Sequence, residues 1–166
     1  MALNSPTFSV LFLCMGNICR SPLAEGILRH KLQERGLNWE VDSAGTSGWH
    51  GGAAPHAYSC KVALEKGIDI RGLQSRKLVQ EDFDRFDQIF VMDKSNYRDA
   101  RDIAGQRFDP KQTRLLLNEL HPGKDLEVPD PWSMDVDSYY EVFEMLDAAC
   151  EQLITNLTNS TQQVPS

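Results

Sequence analysis

Basic residues are scarce in this 166-residue chain: 17 Lys and Arg stand against 24 Asp and Glu, a net charge of −7 with histidine neutral. That balance argues against nucleic acid as a partner, because a general binder needs a positive surface, but it leaves room for a local basic site. Long hydrophobic runs are missing as well. The longest, such as FSVLFLC at residues 8–14, are only strand-length, so no membrane span and no membrane partner are expected. The opening MALNSPT has no basic stretch, and the apolar run behind it is too short for a signal-peptide core, which predicts a cytoplasmic protein. Only four cysteines occur, Cys14, Cys19, Cys60 and Cys150, and their spacing matches no zinc pattern; free thiols and no metal are expected. Internal repeats and linkers are also lacking. One domain over residues 1–166 follows from the length, with a core over 8–157 and frayed termini at 1–7 and 158–166.

What the sequence does contain is an alternation of strand and helix patterns. Phe8 to Cys14 is continuously apolar, as in a strand covered on both faces. Ser21 is placed to cap the next helix, Pro22 suits its first turn and Gly36 its end. Leu23, Ile27, Leu28 and Leu32 form its buried stripe. WEVDSAG (39–45) reads as a second strand. A helix beginning at Pro55 carries Ala57, Val62, Ala63 and Leu64 inward and closes at Gly67. FDQIFVMD (86–93) predicts a third strand, residues 95–105 a helix, and TRLLLNEL (113–120) a fourth strand. Tyr139, Phe143, Leu146, Cys150, Leu153 and Leu157 step by fours and threes, the period of a long amphipathic helix. Four strand–helix alternations imply an α/β fold, a doubly wound parallel sheet with helices on both faces.

In such a fold ligands sit beyond the carboxyl ends of the strands. The stretch LFLCMGNICRSPLAEG (11–26) places Cys14 at the end of the first strand and Arg20 where the helix opens. A loop running into a helix N-terminus offers several N–H groups pointing one way, an anion nest, and Gly16 lets it turn without a side-chain clash. Arg20 adds a planar fork for two oxygens of a tetrahedral anion. The same positive field favours the thiolate of Cys14. A nucleophile on the floor of an anion cradle is a device for phosphoryl transfer to sulfur. Taken singly, a cysteine at a strand end is usually a core residue and an arginine near a helix start usually a solvated charge. The joint C-x5-R-S pattern arises by chance in roughly a few per cent of chains this long, and its placement between strand and helix lowers that further. It is not a Walker loop, since the Gly-Lys pair is missing.

LCMGNICRSP resembles the signature of low-molecular-weight protein tyrosine phosphatases. DSAGTSGWH (42–50), VMDKSN (91–96) and PDPW (129–132) extend the resemblance to about residues 8–157. It implies a four-stranded parallel sheet, a cysteinyl-phosphate intermediate, no cofactor and no metal. Cys14 would be the nucleophile and Arg20 the phosphate clamp, with Met15, Gly16, Asn17, Ile18, Cys19, Arg20 and Ser21 forming the phosphate-binding loop. Asn17 and Ser21 would hold that loop, the Ser21 hydroxyl stabilising the Cys14 thiolate. Asp130 would protonate the leaving phenolate and then activate water; Pro129 and Pro131 stiffen its loop. Asp93 reads better as a cap or brace. Trp49 and Trp132 would wall the substrate crevice, with Trp132 where relatives often have tyrosine. His50 and His56 read as surface loop residues without a role. The expected partners are phosphotyrosine proteins or peptides and the tyrosine kinase that makes them, acted on by a monomer or weak dimer.

The sequence departs from the family in two places. Leu73 stands where many relatives carry a histidine, so a hydrogen bond supporting the phosphate loop is expected to be missing, and the 49–56 loop is shorter than the usual bacterial form. Three competing readings are weaker. An arsenate reductase needs two further relay cysteines, whereas Cys60 and Cys150 are far apart on helical faces that read as buried. Protein-arginine phosphatases tend to carry threonine where Ile18 stands. A silent phosphopeptide-binding module would not need Asp130.

Overall fold

In the computed structural model, which describes residues 5–162, the apolar run becomes β1 (Phe8–Cys14), with every residue after Phe8 buried. A strand this apolar can satisfy both faces only in a sheet interior, and β1 lies there. It pairs in parallel with β2 (Trp39–Gly45) on one side, from Phe8 opposite Trp39 to Cys14 opposite Gly45. On the other side it pairs in parallel with β3 (Gln88–Val91), and β3 with the short β4 (Thr113–Leu115). The sheet order is β2-β1-β3-β4. Alternate residues of β1 serve two cores. Val10, Phe12 and Cys14 pack with α1 (Arg20–Glu34), α2 (Ala57–Glu65) and α5 (Val136–Gln162). Leu11 and Leu13 pack with α3 (Asp82–Arg85) and α4 (Lys94–Ala104). The expected four-stranded parallel sheet with helices on both faces is the architecture observed.

Element edges differ from the sequence reading for local reasons. Helix α1 begins at Arg20, so Ser21 lies inside it and caps nothing; the N-cap is Cys19, without a side-chain cap bond. Gly36 does end α1, at a positive φ of 66° that a side chain would strain. Helix α2 starts at Ala57, because the His56 ring accepts from Tyr58 N and takes the cap. It turns Ser59, Val62 and Ala63 inward while Ala57 and Leu64 face solvent. β3 stops before Met92, since Asp93 caps α4 by accepting from Asn96 N at 2.7 Å. TRLLLNEL is a strand only over its first three residues; Leu116–Glu119 tighten into a 3-10 turn. Helix α3 is a single four-residue turn, too short to show a helical period in the sequence.

Thr7 N donates to Asn38 O at 2.9 Å, and α5 runs through the polar tail to Gln162. The expectation of fraying at 1–4 and 163–166 falls outside the described residues. The six periodic residues of α5, from Tyr139 to Leu157, are all buried. Among the described residues no helix is long and apolar enough to cross a membrane.

Candidate active site

The loop from Met15 to Cys19 joins the end of β1 to the start of α1 and is held from outside by its carbonyls. Cys14 O accepts from Thr46 N and Met15 O from Ser47 N, both at 2.9 Å; Ile18 O accepts from His56 N at 2.7 Å. Gly16 O and Cys19 O accept the hydroxyls of Ser75 and Ser59, each at 3.2 Å. None of the N–H groups of residues 15–19 donates to an acceptor among the described residues. Carbonyls turned outward leave amides turned inward, the nest expected of an anion site. Gly45 permits the close approach of β2: a Cβ there would lie 2.7 Å from Met15 O and 3.0 Å from Ser47 O.

Asn17 gives the loop its bend. Its φ of 57° is in the left-handed region, which asparagine tolerates better than most residues. Its amide is fully used: Oδ1 accepts from Arg76 N at 3.0 Å, and Nδ2 donates to Ser21 Oγ at 2.7 Å and Ser43 Oγ at 2.9 Å. Ser43 in turn donates to Glu25 Oε1 at 2.6 Å. Glu25 is buried, which raises its pKa against the opposing pull of Ser43 and Arg29. Leu73 packs against the main core, so no side chain from that position bonds the loop; the chain Asn17–Ser43–Glu25 holds it instead.

Ser21 Oγ lies 3.0 Å from Cys14 Sγ. Because that oxygen already accepts from Asn17, its own proton is free for the sulfur. Arg20 is among the largest fully buried side chains, 2% exposed. Its Nη1 donates to Asp93 Oδ2 at 2.7 Å and Val128 O at 2.8 Å, Nη2 lies 3.8 Å from Asp130 Oδ2, and Nε is buried with no hydrogen-bond partner. Burial alone pulls the Arg20 pKa down, but the Cys14 sulfur and the Asp93 and Asp130 carboxylates outweigh it and hold it above its ordinary value. Asp93 therefore braces as expected, at once capping α4 and anchoring Arg20. Cys19 faces away from solvent with Sγ 3.5 Å from Tyr139 Oη; burial, partly offset by that contact, pushes its thiol up to about 12. Burial and the Cys19 contact likewise push the Tyr139 phenol well above its usual range.

Cys14 and Arg20 form the floor of a cavity of about 260 Å³, with Asp130, Trp49, Trp132, Met15, Gly16, Ile18 and Cys19 also lining it. Trp49 stands at its rim, 83% exposed, and Trp132 is half exposed. Asp130 is partly open to solvent, and its Oδ1 accepts from Trp132 N at 3.1 Å. The residues assigned to the site from the sequence thus line this cavity, apart from Asn17 and Ser21, which brace its loop. The two histidines dismissed as loop residues lie here too. His50 lines the cavity, with its ring 5.4 Å from that of Trp132; His56 lies 5.6 Å from Trp132 and stacks on Tyr139 at 5.1 Å. Cys150 is buried as expected, but Cys60 is only half-buried. Among the described residues no group of three His, Cys, Asp or Glu is placed to hold a metal ion.

Residues 9–163 match the family model described as low molecular weight phosphotyrosine protein phosphatase. The low molecular weight protein-tyrosine-phosphatase YfkJ of Bacillus subtilis is 36% identical over 156 residues, covering 93% of this chain and 98% of the relative. Its crystal structure superposes with a TM-score of 0.86 at 35% identity, covering 94% of this chain and 98% of the other. The human low molecular weight phosphotyrosine protein phosphatase is 35% identical over 150 residues, covering 89% of this chain and 94% of its own. The crystal structure of a Drosophila arginine phosphatase is also similar, with a TM-score of 0.82 at 31% identity, covering 89% of this chain and 96% of its own.

Proposed function

Since this chain belongs to the low molecular weight phosphotyrosine protein phosphatase family and is a protein-tyrosine phosphatase, we propose that Cys14, Arg20 and Asp130 carry its reaction. The phosphate of phosphotyrosine sits in the nest of residues 15–21, gripped by the Nε–Nη2 edge of Arg20. The Cys14 thiolate, steadied by the Ser21 hydroxyl, attacks phosphorus while the bond to the tyrosine oxygen breaks. Asp130 gives its proton to that leaving oxygen. The resulting carboxylate then takes a proton from water, whose oxygen attacks the cysteinyl phosphate; inorganic phosphate leaves and the thiolate is restored. No cofactor enters these steps.

The observation that carries this reading is the division of labour within Arg20. Nη1 is fully occupied by Asp93 and Val128, which sets the opposite edge of a rigid guanidinium toward the cavity that also holds Cys14. Cys14→Ser tests it directly: turnover should vanish while phosphate-type anions still bind, and appreciable residual turnover would sink the covalent route. The finer parts of the reading are phosphotyrosine proteins or peptides as substrates, a tyrosine kinase upstream, a cytoplasmic setting, a monomer or weak dimer, and reversible sensitivity to peroxide.

A second reading, phosphoarginine as substrate, draws on the likeness to the Drosophila arginine phosphatase. Ile18 weighs against it, since a branched apolar side chain in the cavity wall offers a guanidinium no hydrogen bond. kcat/KM on matched peptides decides: phosphotyrosine should exceed phosphoserine by orders of magnitude and phosphoarginine by less, with Ile18→Thr narrowing the second gap. A wild-type preference for phosphoarginine would overturn the substrate but leave the Cys14 chemistry. Arsenate reduction is disfavoured, because Cys150 is fully buried, which drives its thiol pKa well up.

A further inference from the structure

The loop that carries His50 and His56 is fastened to the phosphate loop at both ends. Ser47 N bonds Met15 O near one end and His56 N bonds Ile18 O at the other, while Gly52 N bonds Ser75 O, whose hydroxyl in turn bonds Gly16 O. The His50 ring lies on the phosphate-loop backbone itself, since a Cβ on Gly16 would come within 3.0 Å of its Cδ2. The His56 ring is wedged, accepting from Tyr58 N through Nδ1 and stacked at 23° on Tyr139.

The segment bearing Asp130 is tied very differently. Its hydrogen bonds are local, Trp132 N to Asp130 Oδ1 and Met134 N to Pro131 O; the nearest external hydrogen bonds are at Val128, whose N donates to Met92 O and whose O accepts from Arg20 Nη1, each at 2.8 Å. The ion pair from Arg20 to Asp130 spans 3.8 Å, longer than a hydrogen bond. Beyond Val128, with the burial of Pro131 and that ion pair, aromatic contact spans the gap. Trp132 meets His50 tilted at 45° and His56 edge-on at 78°, both within the range of favourable ring pairs.

We propose that His50 and His56 clamp Trp132 and thereby hold the Asp130 carboxyl in register with the phosphate loop; the proposal rests on Asp130 being the general acid. Both histidines are positioning residues. They act through the Trp132 ring, whose own backbone N–H fixes one oxygen of Asp130. Displacing the ring turns the carboxyl away from the leaving oxygen without disturbing Cys14 or Arg20.

The test is a series of aryl phosphates whose phenols differ in acidity, read as kcat/KM. His50 is the informative position because His56 also caps α2. His50→Ala should lose roughly 2–10-fold on phenyl phosphate, the worth of one aromatic contact, and less than about 2-fold on 2,4-dinitrophenyl phosphate, which needs no acid. His50→Phe, which keeps a flat ring, should recover most of the loss. In a Trp132→Leu background His50→Ala should add almost nothing, because the partner is gone. An equal loss for every leaving group, or losses that multiply in the double variant, would overturn the clamp. Asp130→Asn in the same series separates the two assignments. A flat series there would overturn the acid and the clamp together; a steep one beside a flat His50→Ala series would overturn the clamp alone.

Discussion

Replacing Arg20 with lysine keeps the charge and removes the geometry. In the wild-type site the guanidinium serves two masters: Nη1 bonds Asp93 and Val128, and the Nε–Nη2 edge is left for the transferred phosphoryl group. An ammonium is a single point. If Nζ stays with Asp93, the anion loses both hydrogen bonds; if it moves to the anion, the part-buried Asp93 carboxylate and the buried Val128 carbonyl lose theirs. Each hydrogen bond to a charged group is worth about 1.5–3 kcal/mol, so losing two weakens the transition state by roughly 3–6 kcal/mol. At one decade per 1.36 kcal/mol this is a fall of about 10²–10⁴ in kcat/KM. The assay is steady-state hydrolysis of p-nitrophenyl phosphate by wild type and Arg20→Lys, beside inhibition constants for inorganic phosphate and thermal melts. Phosphate binding should weaken along with turnover while the fold melts cooperatively. Activity within tenfold of wild type, in a folded variant, would refute the fork.

Three further outcomes are expected. Asp130→Asn should bind substrate but lose roughly 10²–10⁴-fold in kcat/KM for leaving groups of high pKa, and least for activated ones; a uniform loss would make Asp130 a loop brace. Gly45→Ala drives a Cβ to 2.7 Å from Met15 O, so the phosphate loop must shift; a stability loss of about 1–3 kcal/mol is expected by thermal melt, with an activity loss far larger than the unfolded fraction explains. Full activity there would show that the loop has slack. Mild peroxide should inactivate the enzyme reversibly, with dithiothreitol restoring it and Cys19→Ser making the damage harder to reverse. Because burial pushes the Cys19 thiol up to about 12, that thiol is protonated at neutral pH, and trapping should quicken as pH rises toward that value. Mass spectrometry finding no Cys14–Cys19 bridge would count against it.

Periodicity and punctuation carried most of the fold. The apolar run of β1 could only be an interior strand, and the stepping from Tyr139 to Leu157 could only be a buried helical stripe. The edges were less legible where a side chain had two candidate jobs. Ser21 was a good cap by type, yet its hydroxyl was claimed by Cys14 and Asn17. Polar residues after Leu157 gave no inward signal, although α5 continues through them. In the site, Cys14, Arg20 and Asp130 stood out because their neighbours in the chain belong to recognisable motifs. His50 and His56 did not: their partner Trp132 lies far along the chain, and no local pattern announces an aromatic contact across loops. Asn17 was expected to hold the loop; its link through Ser43 to Glu25 required the register of β1 against β2.

The way the phosphate loop is held bears on when, during its making, the protein can first work. Its braces come from distant parts of the chain: Asn17 to Ser43 spans 26 residues, Ser75 to Gly16 spans 59, and Arg20 to Val128 spans 108. Cys14 and Arg20 precede all these braces in the chain, the last arriving at residue 128, and Tyr139 of α5 must follow to support Cys19 and His56. Contacts so far apart in sequence are the slow ones to form. A chain that carries the signature stretch without these later segments lacks the braces that shape it. Catalytic competence in this fold is a property of the finished tertiary structure, and its recovery during refolding should track the last long-range contacts instead of the first helix.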